Sequence, residues 1–183
     1  MSLTTLSFGG GSLLLAWLCR QQLRNPACHG FYRFFAFVGV LWLLLQALPV
    51  WHAQLFSLRQ LLSLLLMLSA SGLLVSGLLH LRRARGQGRE QQAIENFAFE
   101  NTEHLITTGI YGYIRHPMYS ALLAFNWGLY LKQPGMMATL VALLVTLALY
   151  LTARFEEEEN CQVFGDSYQA YRTRSKRFLP LLW

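Results

Sequence analysis

The chain has 183 residues, 54% of them hydrophobic and only 13% charged, and its apolar runs are too long for a soluble core of this size. The bilayer is therefore the expected solvent. The net charge of +6 invites a nucleic-acid reading, but the basic residues follow a membrane-orientation pattern and suit an anionic leaflet, so no nucleic-acid partner is expected.

Five nearly uncharged stretches follow in order: Leu3–Cys19, Phe34–Trp51, Gln60–Leu81, Met118–Leu131 and Met136–Ala153. Each is near or somewhat below the ~20 residues that span a hydrocarbon layer. The expectation is an all-α integral membrane protein of about five transmembrane helices with a cytoplasmic C-terminal helical segment. The first run has no basic residue before it and Arg20 and Arg24 after it, the reverse of a signal peptide, so it is expected to remain as a span. In the third run Ser69, Ser71, Gly72, Ser76 and Gly77 are small enough to permit close helix contacts, and His80 at its end reads as an interfacial residue. The fourth run is the shortest, with 14 residues. Pro134-Gly135 beyond it reads as a tight turn, making the fourth and fifth runs a helical hairpin that sits tilted or reaches only the interface.

Thirteen of the fifteen Lys and Arg residues fall in the first and third connections and the tail. The positive-inside rule then places those segments in the cytoplasm, with the N-terminus out and the C-terminus in. Cys19, Cys28 and Cys161 lie on the reducing side in this topology and have no metal-ligand spacing along the chain, so they read as free thiols and no metal is expected.

The sequence forms one membrane domain, 1–183, with a change of character at Arg82. Residues 1–81 are an apolar three-span scaffold, and 82–183 hold all nine acidic residues. The connection from Arg82 to Thr108 is long and polar, and Ile94, Phe97, Ala98 and Leu105 give part of it an apolar face suited to the membrane surface. After the fifth run, Phe155 to Lys176 reads as a helix or helix pair broken near Gly165. Phe164, Tyr168 and Tyr171 share one helical face there and are assigned to docking.

Two clusters flank the hairpin. In the first, Pro117 suits the first turn of a helix, which puts His116 at its cap, with Tyr119 about one turn on. The helix N-terminus adds unpaired N–H groups suited to a carboxylate or phosphate. The second cluster is Glu156-Glu157-Glu158-Glu159, four carboxylates at an anionic membrane boundary, which favours a specific partner for at least one of them. Arg154 and Arg115 are the candidates. Both clusters return to one face, where a charged cofactor would enter from the cytoplasm and an apolar substrate from the bilayer.

The stretch Leu105 to Tyr119, containing GIYGYIRHPMY, resembles the cofactor motif of the isoprenylcysteine carboxyl methyltransferase superfamily, which also includes phospholipid N-methyltransferases. Arg154-Phe-Glu-Glu157 followed by Phe164-Gly165, Tyr168 and Tyr171 resembles that family's second motif at matching spacing. The ordered pair around a hairpin is far more specific than either motif alone. The resemblance implies an integral membrane methyltransferase that uses S-adenosylmethionine and acts on a lipid or other apolar small-molecule acceptor among membrane lipids. It implies that His116 and Tyr119 contact the cofactor, that Gly109 and Tyr111 shape its pocket, and that Glu157 binds its polar groups. Arg115 and Glu156 are the implied substrate-positioning residues. One departure is Ala121, where the family often has Gly; its methyl would narrow the cofactor's approach.

Elementary chemistry agrees with this assignment. A sulfonium methyl is already activated, so the protein need only align the reacting atoms and exclude water. A carboxylate acceptor needs no general base, whereas a protonated amine must first lose a proton. Two other readings compete. Membrane sterol reductases resemble this C-terminal region and bind a nicotinamide cofactor, but they have many more spans. A non-enzymatic membrane subunit would have no physical need for the Arg-His-Tyr-Glu set.

Overall fold

The apolar runs fold as five helices and the polar tail as a sixth in the structure, a computed structural model that describes residues 3–84 and 105–180. They are α1 (Leu3–Leu18), α2 (His29–Ala47), α3 (Leu58–Ala84), α4 (Pro117–Lys132), α5 (Met136–Phe164) and α6 (Asp166–Arg174). Ile94, Phe97 and Ala98, expected on a membrane-surface segment, lie outside the described residues. The protein is an all-α integral membrane protein. With a short 3-10 extension on α2, three helices among the described residues (α2, α3 and α5) are long and apolar enough to cross a bilayer. Helices α1 and α4 have 16 residues each, about 24 Å at 1.5 Å per residue, short of a hydrocarbon layer about 30 Å thick.

The helix ends follow local chemistry. Cys28 caps α2, its sulfur accepting the Gly30 N–H at 3.3 Å. The helix therefore begins earlier than the apolar run and carries Arg33 inside it. Pro117 opens α4 with His116 at its cap, as the sequence suggests. Gln133 and Pro134 turn the chain, Gly135 caps α5, and α5 then continues for 29 residues, well past the apolar stretch that ends at Ala153. Its polar extension contains only helix-compatible residues until Gly165, whose φ of +54° breaks the helix.

Helix α2 packs on α5, α3 packs on α4, and α1 lies against α2. Small residues set these distances. A Cβ on Gly39 of α2 would stand 2.3 Å from Val145 Cγ2, so the two helices touch backbone to side chain. Between α3 and α4, Ser63 Oγ donates to Gly128 O at 2.7 Å. Gly77 lies against Met118 and Pro117. Gly72, by contrast, has open space where its Cβ would be, while Ser69 and Ser71 donate to carbonyls of their own helix. The expected small-residue contact surface therefore narrows to Gly77 and shifts toward Ser63 and Gly128. Leu13, Trp17, Leu65 and Leu143 remain exposed, as lipid-facing side chains do.

At the end away from the arginine-rich segments, Lys132 Nζ donates to Gln60 Oε1 at 2.9 Å and lies 5.0 Å from the Trp51 ring centre. This satisfies a buried ammonium and ties α3 to the hairpin turn.

Gly39→Leu should lower the unfolding temperature in detergent, because overpacking against a stiff buried valine costs roughly 1–3 kcal/mol or more. Gly10→Leu makes the same chemical change where there is nothing within 4 Å and should leave the temperature nearly unchanged.

Candidate functional site

The two clusters meet because the chain pairs with its own tail. His116 N–H donates to Arg177 O at 3.1 Å, Arg115 N–H to Lys176 O at 2.7 Å, and Lys176 N–H to Tyr113 O at 2.9 Å. This short parallel bridge between Ile114 and Lys176 satisfies backbone groups just before α4 that no helix could. Ser120 Oγ donates to Phe178 O and Tyr171 Oη to Tyr111 O, both at 2.6 Å. Four of these contacts hold the GIYGYIRHP segment, and the fifth holds Ser120 of α4, against the chain that follows α5.

The four consecutive glutamates point about 100° apart on the helix and find four different surroundings. Glu157 is 2% exposed. Its carboxylate accepts from Arg115 Nε at 2.9 Å, Arg177 Nε at 3.1 Å and Arg177 Nη2 at 2.7 Å, with Arg172 Nη2 3.7 Å away and His116 Nε2 at 3.4 Å. Burial pushes the Glu157 carboxyl up, but the His116 and Arg177 hydrogen bonds, the His116 charge and Arg115 together outweigh it and hold it well below the usual carboxylate range. Glu156 accepts from Tyr119 Oη at 2.5 Å and lies 3.8 Å from His116 Nδ1. Glu158 pairs with Arg154 at the surface. Glu159 turns to α2, where it meets His29.

Beside Glu156 is a cavity of about 280 Å³. Its polar wall is Tyr119, His116, Glu156, Arg115 and Asn160, with Arg33 entering from α2. The His116 and Tyr119 rings stack with centres 5.4 Å apart and planes 14° apart, as their three-residue spacing predicts. Tyr111, Phe164, Tyr168 and Tyr171 provide aromatic surface, while Phe37, Leu74, Leu81, Met118 and Leu122 from α2, α3 and α4, with Leu105 from the segment before α4, make an apolar side. Burial pushes the Tyr171 hydroxyl up to about 12, and burial with the Glu157 and Glu156 charges raises Tyr168 further. Both phenols stay neutral, Tyr171 already donating to Tyr111 O, and both offer ring faces.

Five of the seven residues named from sequence line this cavity: Arg115, His116, Tyr119, Tyr111 and Glu156. Glu157 and Gly109 stand behind it. Arg115 also bonds the carbonyls of Arg172 and Ser175, so its guanidinium is occupied as a clamp between the two clusters. Gly109 has φ +62°, and a Cβ there would lie 1.9 Å from His80 Nε2. Only glycine fits this turn. The His80 ring, anchored by Nδ1 to Ser76 O at 2.8 Å, fixes the loop from the end of α3. Ala121 is 4% exposed and is not part of the cavity wall.

Sequence reasoning missed several contributors. Arg177 was one charge in a basic tail counted for orientation, yet it makes the closest contact of any arginine to Glu157. Arg33 was expected in a connecting segment. The Phe164-Tyr168-Tyr171 face was legible, but it faces the cavity wall instead of serving only for docking.

Fold and site together define a membrane-embedded helical protein with a mixed aromatic, charged and apolar cavity at its arginine-rich end. Residues 58–167 match the family model described as phospholipid methyltransferase, and the chain belongs to that family of membrane methyltransferases. Over 85 residues it is 36% identical to a protein-S-isoprenylcysteine O-methyltransferase of Schizosaccharomyces pombe, covering 45% of this chain and 36% of the relative. The match thus spans about a third of that relative's length. No solved structure matches.

Removing Glu157 leaves buried cationic groups unpaired, a loss of about 3–5 kcal/mol for a buried pair, so Glu157→Gln should unfold at a markedly lower temperature. The pH dependence has a definite sign. A carboxyl depressed in the folded state contributes stability above its ordinary value of 4.5, and that contribution fades as pH falls below it. Unfolding temperatures measured from neutral pH to below 4.5 should decline less steeply for Glu157→Gln than for the parent chain.

Proposed function

We propose that this protein transfers the methyl group of S-adenosylmethionine to a lipid or other membrane-partitioned acceptor at the cytoplasmic face. The observation that carries the reading is one cavity with a charged aromatic wall on α4, α5 and α6 and an apolar wall on α2, α3 and α4. The residues suit the cofactor: Tyr111, Phe164, Tyr168 and Tyr171 offer ring faces, and Glu156 a carboxylate, to a flat base and a sulfonium cation. The N-terminus of α4 suits the cofactor's carboxylate. When bound, the cofactor supplies an activated methyl group.

The chain's own groups would then do three things. Tyr119 and His116, locked against each other and against Glu156, would fix the polar end of the pocket. Glu157 would act through its neighbours, holding Arg115, Arg177 and His116 in register. The apolar wall would admit an acyl or prenyl chain and exclude water. Arg33, 3% exposed, would face an acceptor carboxylate or phosphate. The arginine-rich end is the cytoplasmic one in this reading, with the N-terminus outside.

Purified protein in detergent should bind S-adenosylmethionine by calorimetry, and His116→Ala should weaken binding by about tenfold or more, roughly 1.4 kcal/mol. No binding in a folded sample overturns the reading. A thermal shift produced by a reduced nicotinamide nucleotide instead would favour a reductase.

The acceptor is identified by incubating membranes with methyl-labelled cofactor and characterising the labelled product. With that acceptor, Arg33→Gln should raise KM several-fold while leaving cofactor affinity unchanged. A cofactor affinity that falls equally would place Arg33 at the cofactor instead.

A further inference from the structure

Where α2 begins, the fold brings Glu159 to two consecutive residues, Cys28 and His29, from which the chain separates it by some 130 positions. Cys28 and His29 are buried, at 4% and 2% exposure, and Glu159 reaches them from the polar extension of α5. Glu159 Oε1 accepts the His29 backbone N–H at 2.9 Å, and Oε2 lies 2.6 Å from His29 Nδ1. With Cys28 Sγ these donor atoms all lie within 4.8 Å of one another. We propose that Cys28, His29 and Glu159 form a binding site for a divalent transition-metal ion, zinc by its donor set, which joins α2 to α5 beside the cavity.

Three observations carry this. The first is the donor chemistry: one sulfur, one imidazole nitrogen and one carboxylate oxygen suit borderline zinc and disfavour magnesium or calcium. The second is the choice of residue at the helix cap. Ser, Thr, Asp or Asn is the usual N-cap, whereas cysteine here puts a soft ligand next to a histidine. The third is geometry. Donor atoms around a tetrahedral zinc ion stand roughly 3–4 Å apart, so closing these side chains onto an ion needs shifts on the order of 1 Å.

Glu159, with a side chain 36% exposed, leaves an aqueous side for entry and for a water as fourth ligand. Zinc would replace the thiol proton of Cys28 and bind His29 through Nδ1 of the neutral ring. Tyr32, one turn along α2, stacks on Phe155 with ring centres 4.7 Å apart, so the ion would complete a junction that packing has already begun. Metal binding at this place needs neither cofactor nor acceptor and stands apart from the methyl-transfer reading.

The test uses the full chain in detergent, stripped with a chelator and dialysed against zinc or cobalt(II). Expected are one zinc per chain, a zinc-dependent rise in unfolding temperature, and a thiolate-to-cobalt charge-transfer band. Cys28→Ser should abolish the band, Glu159→Gln should weaken zinc binding by about tenfold or more, and Cys161→Ser should change neither. Should Cys28→Ser fail to fold, Glu159→Gln carries the comparison, since its amide oxygen can still accept from His29 N–H. Substoichiometric zinc in folded protein, a cobalt spectrum without the sulfur band, or zinc affinity unchanged in Glu159→Gln overturns the proposal.

Discussion

One carboxylate holds the working end of this molecule together. Glu157 is buried on α5, and its charge is balanced by Arg115 from the segment before α4 and by Arg172 and Arg177 from the chain after α5. The arginines come from two separate stretches, and Arg115 and Arg177 could not be buried without the carboxylate. The backbone bridge between Ile114 and Lys176 and the cap at His116 bring the partners of that cluster together. The adjacent Glu156 is thereby aimed at Tyr119 and His116, so the residues that face the cavity are oriented by one that does not.

The rest of the bundle walls that point with apolar side chains. The same cavity is polar on the α4, α5 and α6 side and apolar toward α2 and α3. Helices α2 and α5 approach closely through Gly39, which makes that pair a rigid wall. The opposite end is fastened separately, by Lys132 held between Gln60 and Trp51. The molecule therefore has a clasp at each end of the bundle and leaves its side wall to hydrocarbon.

Much of this could be read from the chain, and the parts that could not share a cause. Hydropathy located the five apolar helices, and three-residue spacing paired His116 with Tyr119 because both depend on neighbours in sequence. Glu157 belonged to an acidic run that required a partner, and Arg115 proved to be one of them. Arg177 and Arg33 were hidden because their importance lies in contacts tens of residues away, and a charge near a membrane has an orientation reading that already accounts for it. Polar residues continued the helices: α2 begins at His29 instead of Phe34, while the fifth apolar run and the helix expected after it are one continuous helix up to the expected break at Gly165. Gly72 and its serines looked like a contact surface, but composition alone cannot say which face a neighbour occupies.

The glutamate run has a further consequence for how the gene can change. Deleting one residue from the apolar part of α5 would turn the extension by about 100°, yet Glu157, Glu158 and Glu159 would then fill the places of Glu156, Glu157 and Glu158. Only the place facing His29 would receive a non-acidic residue, Asn160. An inserted residue would instead bring Phe155 to the place opposite Tyr119. Either change keeps a carboxylate at the place of Glu157, and the two differ in what they give up: shortening loses the contact with His29, lengthening the partner of Tyr119.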